Sequence, residues 1–178
     1  MPPTERVKGS SRRDPAWLWI VAGALLVARV ATGVYEEKHP PTRPDLVSWV
    51  PATMAPERAL ATHKPILYEF SADWCGPCQQ LERDVFADEK HARMLSQFVV
   101  PVRIIDRQRE LGHNSALVDS LQRVHDVRAF PTLVLVDADG RAIDRMEGFP
   151  GTERFMSWVA TAGAKQRTLK SGATFTFP

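Results

Sequence analysis

The chain has 178 residues, 44% hydrophobic and 25% charged, which is enough for one sizeable core plus appendages and too apolar for wholesale disorder. Its formal charge of +2 sits at the front, where Arg6, Lys8, Arg12, Arg13 and Arg29 face only Glu5 and Asp14, so the rest of the chain is slightly acidic. A near-neutral body without a clustered positive face argues against nucleic acid as a partner and assigns the excess charge to targeting.

From Ala16 to Val34 the sequence AWLWIVAGALLVARVATGV holds one charged residue, Arg29, and as a helix it would span roughly 28 Å, about one bilayer core. Arg12 and Arg13 precede it, and Glu36, Glu37, Lys38 and His39 follow. The positive-inside bias therefore keeps residues 1–15 in the cytoplasm, makes 16–35 a single transmembrane anchor in the inner membrane, and puts the body in the periplasm. Trp17, Trp19 and Tyr35 suit interfacial positions, and Arg29 can snorkel to the outer headgroups. The rival is a cleaved signal peptide, with Ala31, Thr32 and Gly33 as the small-residue site; it exports the body equally well. Residues 36–45 are charged and proline-rich, the composition of an extended spacer.

Beyond the spacer, Leu46 to Val50 reads as an edge strand stopped by Pro51, and Pro56 suits the first turn of a helix through Ala59, Leu60 and Ala61. ILYEFS, Ile66 to Ser71, reads as a central strand with Glu69 as its anomaly. A helix from the cysteines ends near Val85 or Phe86, and Asp88 caps another in which Ala92 and Leu95 share a face. FVVPVRII, Phe98 to Ile105, is a second strand, irregular near Pro101. Arg107 to Asn114 is a polar surface excursion, followed by a helix with Ala116, Leu117, Leu121 and Val124. Pro131 to Val136 and Ala142 to Met146 form a hairpin about Asp137 to Gly140, and Thr152 caps a last helix carrying Phe155, Met156 and Val159. Residues 164–178 form a tail in which Thr174 to Phe177 alternates like a short strand.

The chain's two cysteines stand together as Trp74-Cys75-Gly76-Pro77-Cys78. C-x-x-C after a strand and before a helix puts the first sulfur at a helix N-terminus, where amide hydrogens favour the thiolate. Cys75 is thus expected as the accessible nucleophile with a pKa below that of free cysteine, and Cys78 as the resolving thiol. Pro77 fixes a torsion in the first turn, and Gly76 keeps the approach open. The other readings are an inert staple and a metal site, although zinc would need about four ligands and no second C-x-x-C accompanies the pair. His63, His91, His113 and His125 are scattered. Trp74 packs beside the dithiol or belongs to the core, and Asp73 reads as surface charge. For Glu69 the alternatives are a functional acid, an acid facing solvent, or one paired with a neighbouring base.

ADWCGPC (Ala72 to Cys78), the strand before it, VRAFPTLVLV (Val127 to Val136), DADG (Asp137 to Gly140) and MEGF (Met146 to Phe149) resemble thioredoxin, over about residues 46–163. LERDVFADEKHARML, Leu81 to Leu95, is similar to the thioredoxin-like domains of bacterial membrane thiol:disulfide interchange proteins. The resemblance implies an α/β thioredoxin fold, a central mixed sheet flanked by helices, and a thiol:disulfide oxidoreductase needing no cofactor or metal beyond its dithiol. It implies that Pro131 is cis beside the dithiol and that Phe130, Pro131 and Thr132 cradle the partner polypeptide. It also puts Glu69 where thioredoxins carry a buried aspartate that moves the resolving thiol's proton, with Val102 where they place a lysine. That charge pair is therefore missing or supplied otherwise. Protein disulfides are the expected substrates, and an exported reductant needs a membrane electron donor. A copper-binding protein on the same fold, using His125 or His91, is the alternative from another class.

Overall fold

Strand alternation sorts the core into two faces. In β1, Ile66–Ala72, the side chains of Ile66, Tyr68 and Phe70 join one cluster while Leu67 joins the other. The computed structural model describes residues 16–38 and 44–172. The basic segment 1–15, the spacer's centre 39–43 and the alternating Thr174 to Phe177 lie outside them.

The chain divides into two units, 1–42 and 43–178. The first contains α1, Ala16–Lys38, which runs three residues past the end expected at 35. Within it Trp17–Val34 is long and apolar enough to cross a membrane.

In the second unit α2, Ala55–Thr62, leads into β1, with a proline in its first turn as expected. Then come α3, Gly76–Leu81, α4, Glu89–Phe98, and β2, Val100–Asp106. A short α5, Gln108–Leu111, and α6, Ala116–Val124, precede the hairpin of β3, Thr132–Val136, and β4, Ala142–Glu147. The last helix is α7, Thr152–Gly172. The sheet order is β2-β1-β3-β4, with β1 parallel to β2 and antiparallel to β3, and β4 antiparallel to β3. This is the mixed sheet of a thioredoxin fold. Leu67, Leu133 and Leu135 pack with Leu81 of α3, Phe86 between α3 and α4, Leu95 of α4, and Phe155 and Val159 of α7. Tyr68, Phe70, Val102, Ile104 and Val134 pack with Ala55 and Ala59 of α2 and with Val118 and Leu121 of α6.

Three boundaries depart from expectation. Leu46 to Val50 forms no strand: Val50 N–H donates to Pro101 O at 2.9 Å and Leu46 N–H to Phe86 O at 3.0 Å, two bonds to different elements. Pro101 has no N–H to return, so a ladder cannot propagate along that edge. β2 starts at Val100 because Phe98 completes α4, whose N-cap is Asp88, accepting from His91 N–H at 2.9 Å. The tail expected from 164 is helical as far as Gly172.

Candidate active site

β1 ends at Ala72, whose carbonyl accepts from Cys75 N–H at 3.0 Å and turns the chain into α3. Cys75 is the N-cap in extended conformation; Cys78 N–H points at its sulfur at 3.2 Å, and Gln79 N–H donates to its carbonyl at 3.1 Å. The first sulfur thus takes the place a serine or aspartate oxygen takes at an ordinary helix start. Pro77 occupies the first turn, where no helical N–H is needed, and a Cβ at Gly76 would meet nothing within 4 Å. α3 then widens into a π-type turn, Glu82–Phe86, closed by Ala87 N–H to Glu82 O at 2.8 Å. Helix character therefore reaches Phe86, as expected.

Cys75 and Cys78 form a disulfide. The expected accessibility of the nucleophile is not met in this oxidised state: Cys75 is 3% exposed and Cys78 5%. Both cysteines cluster with Ala72, and Phe130 packs against the cluster. Phe130 meets the half-exposed Trp74 edge-on at 5.9 Å. Trp74 therefore belongs to the rim of the site and not to the core.

The Phe130-Pro131 bond is cis, and Pro131 is buried. Its carbonyl accepts from Gly148 N–H at 2.8 Å, and Gly148, at φ +74°, takes a backbone conformation that glycine adopts without strain. The MEGF turn thus holds the proline loop in place. Thr132, expected to meet the partner, has a fully buried side chain, and its hydroxyl donates to Ala129 O at 2.7 Å. It braces the loop from within, which leaves Phe130 as that segment's partly exposed aromatic group.

Glu69 is 1% exposed and paired with a base, the third of the readings open for it. Its partner is Arg103, directly opposite in the β1–β2 register, with Nε donating to Oε2 at 2.9 Å. The position read as the missing lysine, Val102, is fully buried on the opposite face of the sheet; the charge pair is supplied one residue later. Arg103 Nη1 also donates to Asp45 at 2.7 Å, and the guanidinium lies 4.2 Å from the Trp49 ring centroid and 5.0 Å from that of Phe86. Burial pushes the Glu69 carboxyl above its usual range, and the pull of Arg103 only partly offsets this.

Asp106, at the end of β2, is buried too. Burial alone would raise its pKa, but hydrogen bonds from Gln122, Asn114 and Gln108 N–H leave it below the usual value. Sequence reasoning missed Arg103, Asp45 and Asp106. For Arg103 a signal existed: it is the one charge within FVVPVRII, as Glu69 is within ILYEFS.

The histidine proposed for copper, His125, packs its ring 5.3 Å from Tyr68 and 5.8 Å from Phe70. His91 lies on α4 beside Asp88. Among the described residues no three His, Cys, Asp or Glu side chains converge on a metal-sized site.

A dithiol at a helix start, next to a cis-proline loop on this sheet, defines the class of thioredoxin-fold thiol:disulfide oxidoreductases. Residues 53–163 match the thioredoxin-like domain family, and the chain belongs to it. Similar proteins include the thiol:disulfide interchange protein DsbD of Actinobacillus pleuropneumoniae, 29% identical over 98 residues, which covers 54% of this chain and 16% of that protein. The DsbD of Yersinia enterocolitica is 32% identical over 100 residues, again 16% of its length. The chain therefore spans a small part of these curated relatives. Among solved structures, a DsbH oxidoreductase superposes with a TM-score of 0.58 at 25% identity, covering 71% of this chain and 92% of that one. The oxidised C-terminal domain of Neisseria meningitidis DsbD gives 0.51 at 20% identity, covering 62% and 90%, a likeness of fold.

Proposed function

We propose that this chain is a membrane-anchored, periplasm-facing thiol:disulfide oxidoreductase that reduces protein disulfides through Cys75 and Cys78. The observation that carries the reading is the N-cap geometry of Cys75 beside the cis-proline loop. In the reduced protein the Cys75 thiolate attacks one sulfur of a partner disulfide; the partner's other sulfur leaves as a thiolate and takes up a proton. Cys78, losing its proton, then attacks the Cys75 sulfur of the mixed disulfide. The partner departs fully reduced, and the two electrons it gained leave Cys75–Cys78 oxidised.

Glu69, buried and held by Arg103, is our candidate for receiving the Cys78 proton, because burial raises the carboxyl's proton affinity. Phe130 and Pro131 would hold the partner's extended chain, with Trp74 and Gly76 at the edge of the approach and Pro77 shaping the helix start. Export rests on the apolar helix Trp17–Val34 and the basic residues before it. A membrane-embedded donor would return the electrons, since the periplasm is oxidising. The test is a Cys78→Ala variant of the full chain, which retains the attacking thiol but cannot resolve. It should accumulate a dithiothreitol-sensitive mixed disulfide with exported proteins, while wild type does so only transiently. Absence of any adduct, together with no reduction of a protein disulfide by the reduced wild type, overturns the proposal.

A further inference from the structure

The residues immediately before Cys75 are both held by one segment of the chain. Asp73 pairs with Arg107 Nη1, and the Arg109 guanidinium carbon lies 5.4 Å from the Trp74 ring centroid. Arg107 and Arg109 belong to the polar excursion between β2 and α6, for which the fold itself has little need: α5 buries no residue. The excursion is nevertheless built with care. Asp106 accepts from Gln108 N–H at 3.0 Å, Asn114 Nδ2 at 2.7 Å and Gln122 Nε2 at 2.8 Å, while Asn114 Oδ1 accepts from Arg107 N–H at 2.6 Å. One buried carboxylate thereby closes both ends of the loop and ties it to α6. Gly112, at φ +77°, and a bond from Gln108 Nε2 to Gly112 O at 2.7 Å complete the turn.

Across the dithiol, Trp74 meets Phe130, and Phe130 packs on the cysteines, which are almost sealed. An incoming sulfur that approaches past Phe130 meets this aromatic rim. An indole gripped on its face by a cation is less free to swing aside than an unheld one.

We propose that the excursion Arg107 to Asn114 is a positioning clamp for the tryptophan rim: Asp106 pins it, Arg107 steadies Asp73 and Arg109 holds the Trp74 indole, so that it governs how fast a reacting sulfur reaches the dithiol. The inference rests on the redox reading above. It assigns Arg107 and Arg109 no contact with reacting atoms; they act through Asp73 and Trp74.

The experiment measures reduction of the Cys75–Cys78 disulfide in the full-length protein in detergent micelles. Dithiothreitol supplies the two electrons and two protons and closes to its cyclic disulfide; stopped-flow tryptophan fluorescence follows the reaction. Arg109→Ala should speed reduction about two- to fivefold, the factor worth one exposed cation–π contact, and should shift the Trp74 emission identified by a Trp74→Phe reference. Arg109→Lys, which keeps a cation over the ring, should return most of both effects. Arg93→Ala, which removes a solvent-exposed arginine paired with Glu89, should leave both at wild-type values. The melting temperature should not move with Arg109→Ala, because that side chain is exposed.

Equal reduction rates for wild type and Arg109→Ala, or a faster rate that Arg109→Lys does not reverse, would overturn the clamp while leaving the redox reading intact. A wild-type disulfide that dithiothreitol cannot open in the folded protein would overturn both.

Discussion

Replacing Arg103 with methionine would leave the Glu69 carboxyl 1% exposed with its counter-charge gone. In the native protein Arg103, itself 18% exposed, makes charge-assisted bonds of 2.9 Å to Glu69 and 2.7 Å to Asp45. Its guanidinium also rests on the Trp49 and Phe86 rings. Breaking a buried pair from one side costs about 3–5 kcal/mol, because the remaining charge is neither solvated nor paired. Methionine fills much of the stem's volume, so the loss at pH 8 should fall near the lower end, about 3 kcal/mol. The pH dependence is the sharper test. The native pKa of Glu69 already lies above the unfolded value of 4.5, and without the attraction of Arg103 it moves further up. For such a group the favourable contribution is complete below the unfolded pKa and is lost as pH rises through the folded one. The variant's deficit should therefore be smaller at pH 4, where Glu69 is largely neutral folded or unfolded and the loss is that of the Asp45 bond and the ring contacts, and grow towards pH 8. Urea unfolding of the full chain in micelles, followed by near-UV circular dichroism, measures both ends. Arg103→Met/Glu69→Gln should recover most of the pH 8 loss. A deficit equal at pH 4 and pH 8, or no recovery in the double variant, would refute this account of the pair.

Two further perturbations follow from the packing. A Cβ on Gly163 would lie 3.0 Å from Phe98 O and 3.2 Å from Phe98 Cβ, where α7 crosses α4. Gly163→Ala should lower stability by about 1 kcal/mol, since overpacking of about 1–3 kcal/mol outweighs the helix gain of about 0.5–1; a stabilised variant in urea titration would contradict this. Burial, then the charge of Arg145, holds the His125 imidazole below its usual 6.5. Stability should therefore fall as pH drops below 6.5 and level off beneath the folded value, while His125→Phe, which keeps the ring against Tyr68 and Phe70, should show a smaller fall in melting temperature over that interval.

What the sequence made legible was what repeats with a short period or sits within one motif. ILYEFS and PTLVLV became β1 and β3 because a β-rich apolar run bounded by turn residues has few other fates, and Asp88 became an N-cap because a short acid ahead of a helical face is a local signal. CGPC at a helix start was equally local. Leu46 to Val50 failed because its partner edge carries Pro101, a fact about another strand's hydrogen bonds and not about the segment. That the charge pair of Glu69 is supplied otherwise was legible, but which residue supplies it was not, for the same reason. Only the parallel register that sets Glu69 opposite Arg103 decides which β2 side chain faces the acid, and a shift of one residue sends it to the opposite face.

The two arginine contacts divide their labour between a buried acid and an exposed aromatic rim. Arg103 works from beneath: partly buried, with its guanidinium on the Trp49 and Phe86 rings, it pairs with the acid we propose as acceptor of the Cys78 proton, and it does so together with Asp45, the last residue of the spacer. Arg109 works from above, on an exposed aromatic rim, through a loop pinned by Asp106. Changes beneath should therefore register in the pH profile of exchange and in stability, since they alter proton affinity in a dry environment. Changes above should register in the rate of access with stability nearly constant, since the groups involved are solvated. The two readouts are independent, so a variant that moved both, from either side, would mean that the acid and the rim are coupled through β1, which carries Glu69 and ends at Ala72, two residues before Trp74.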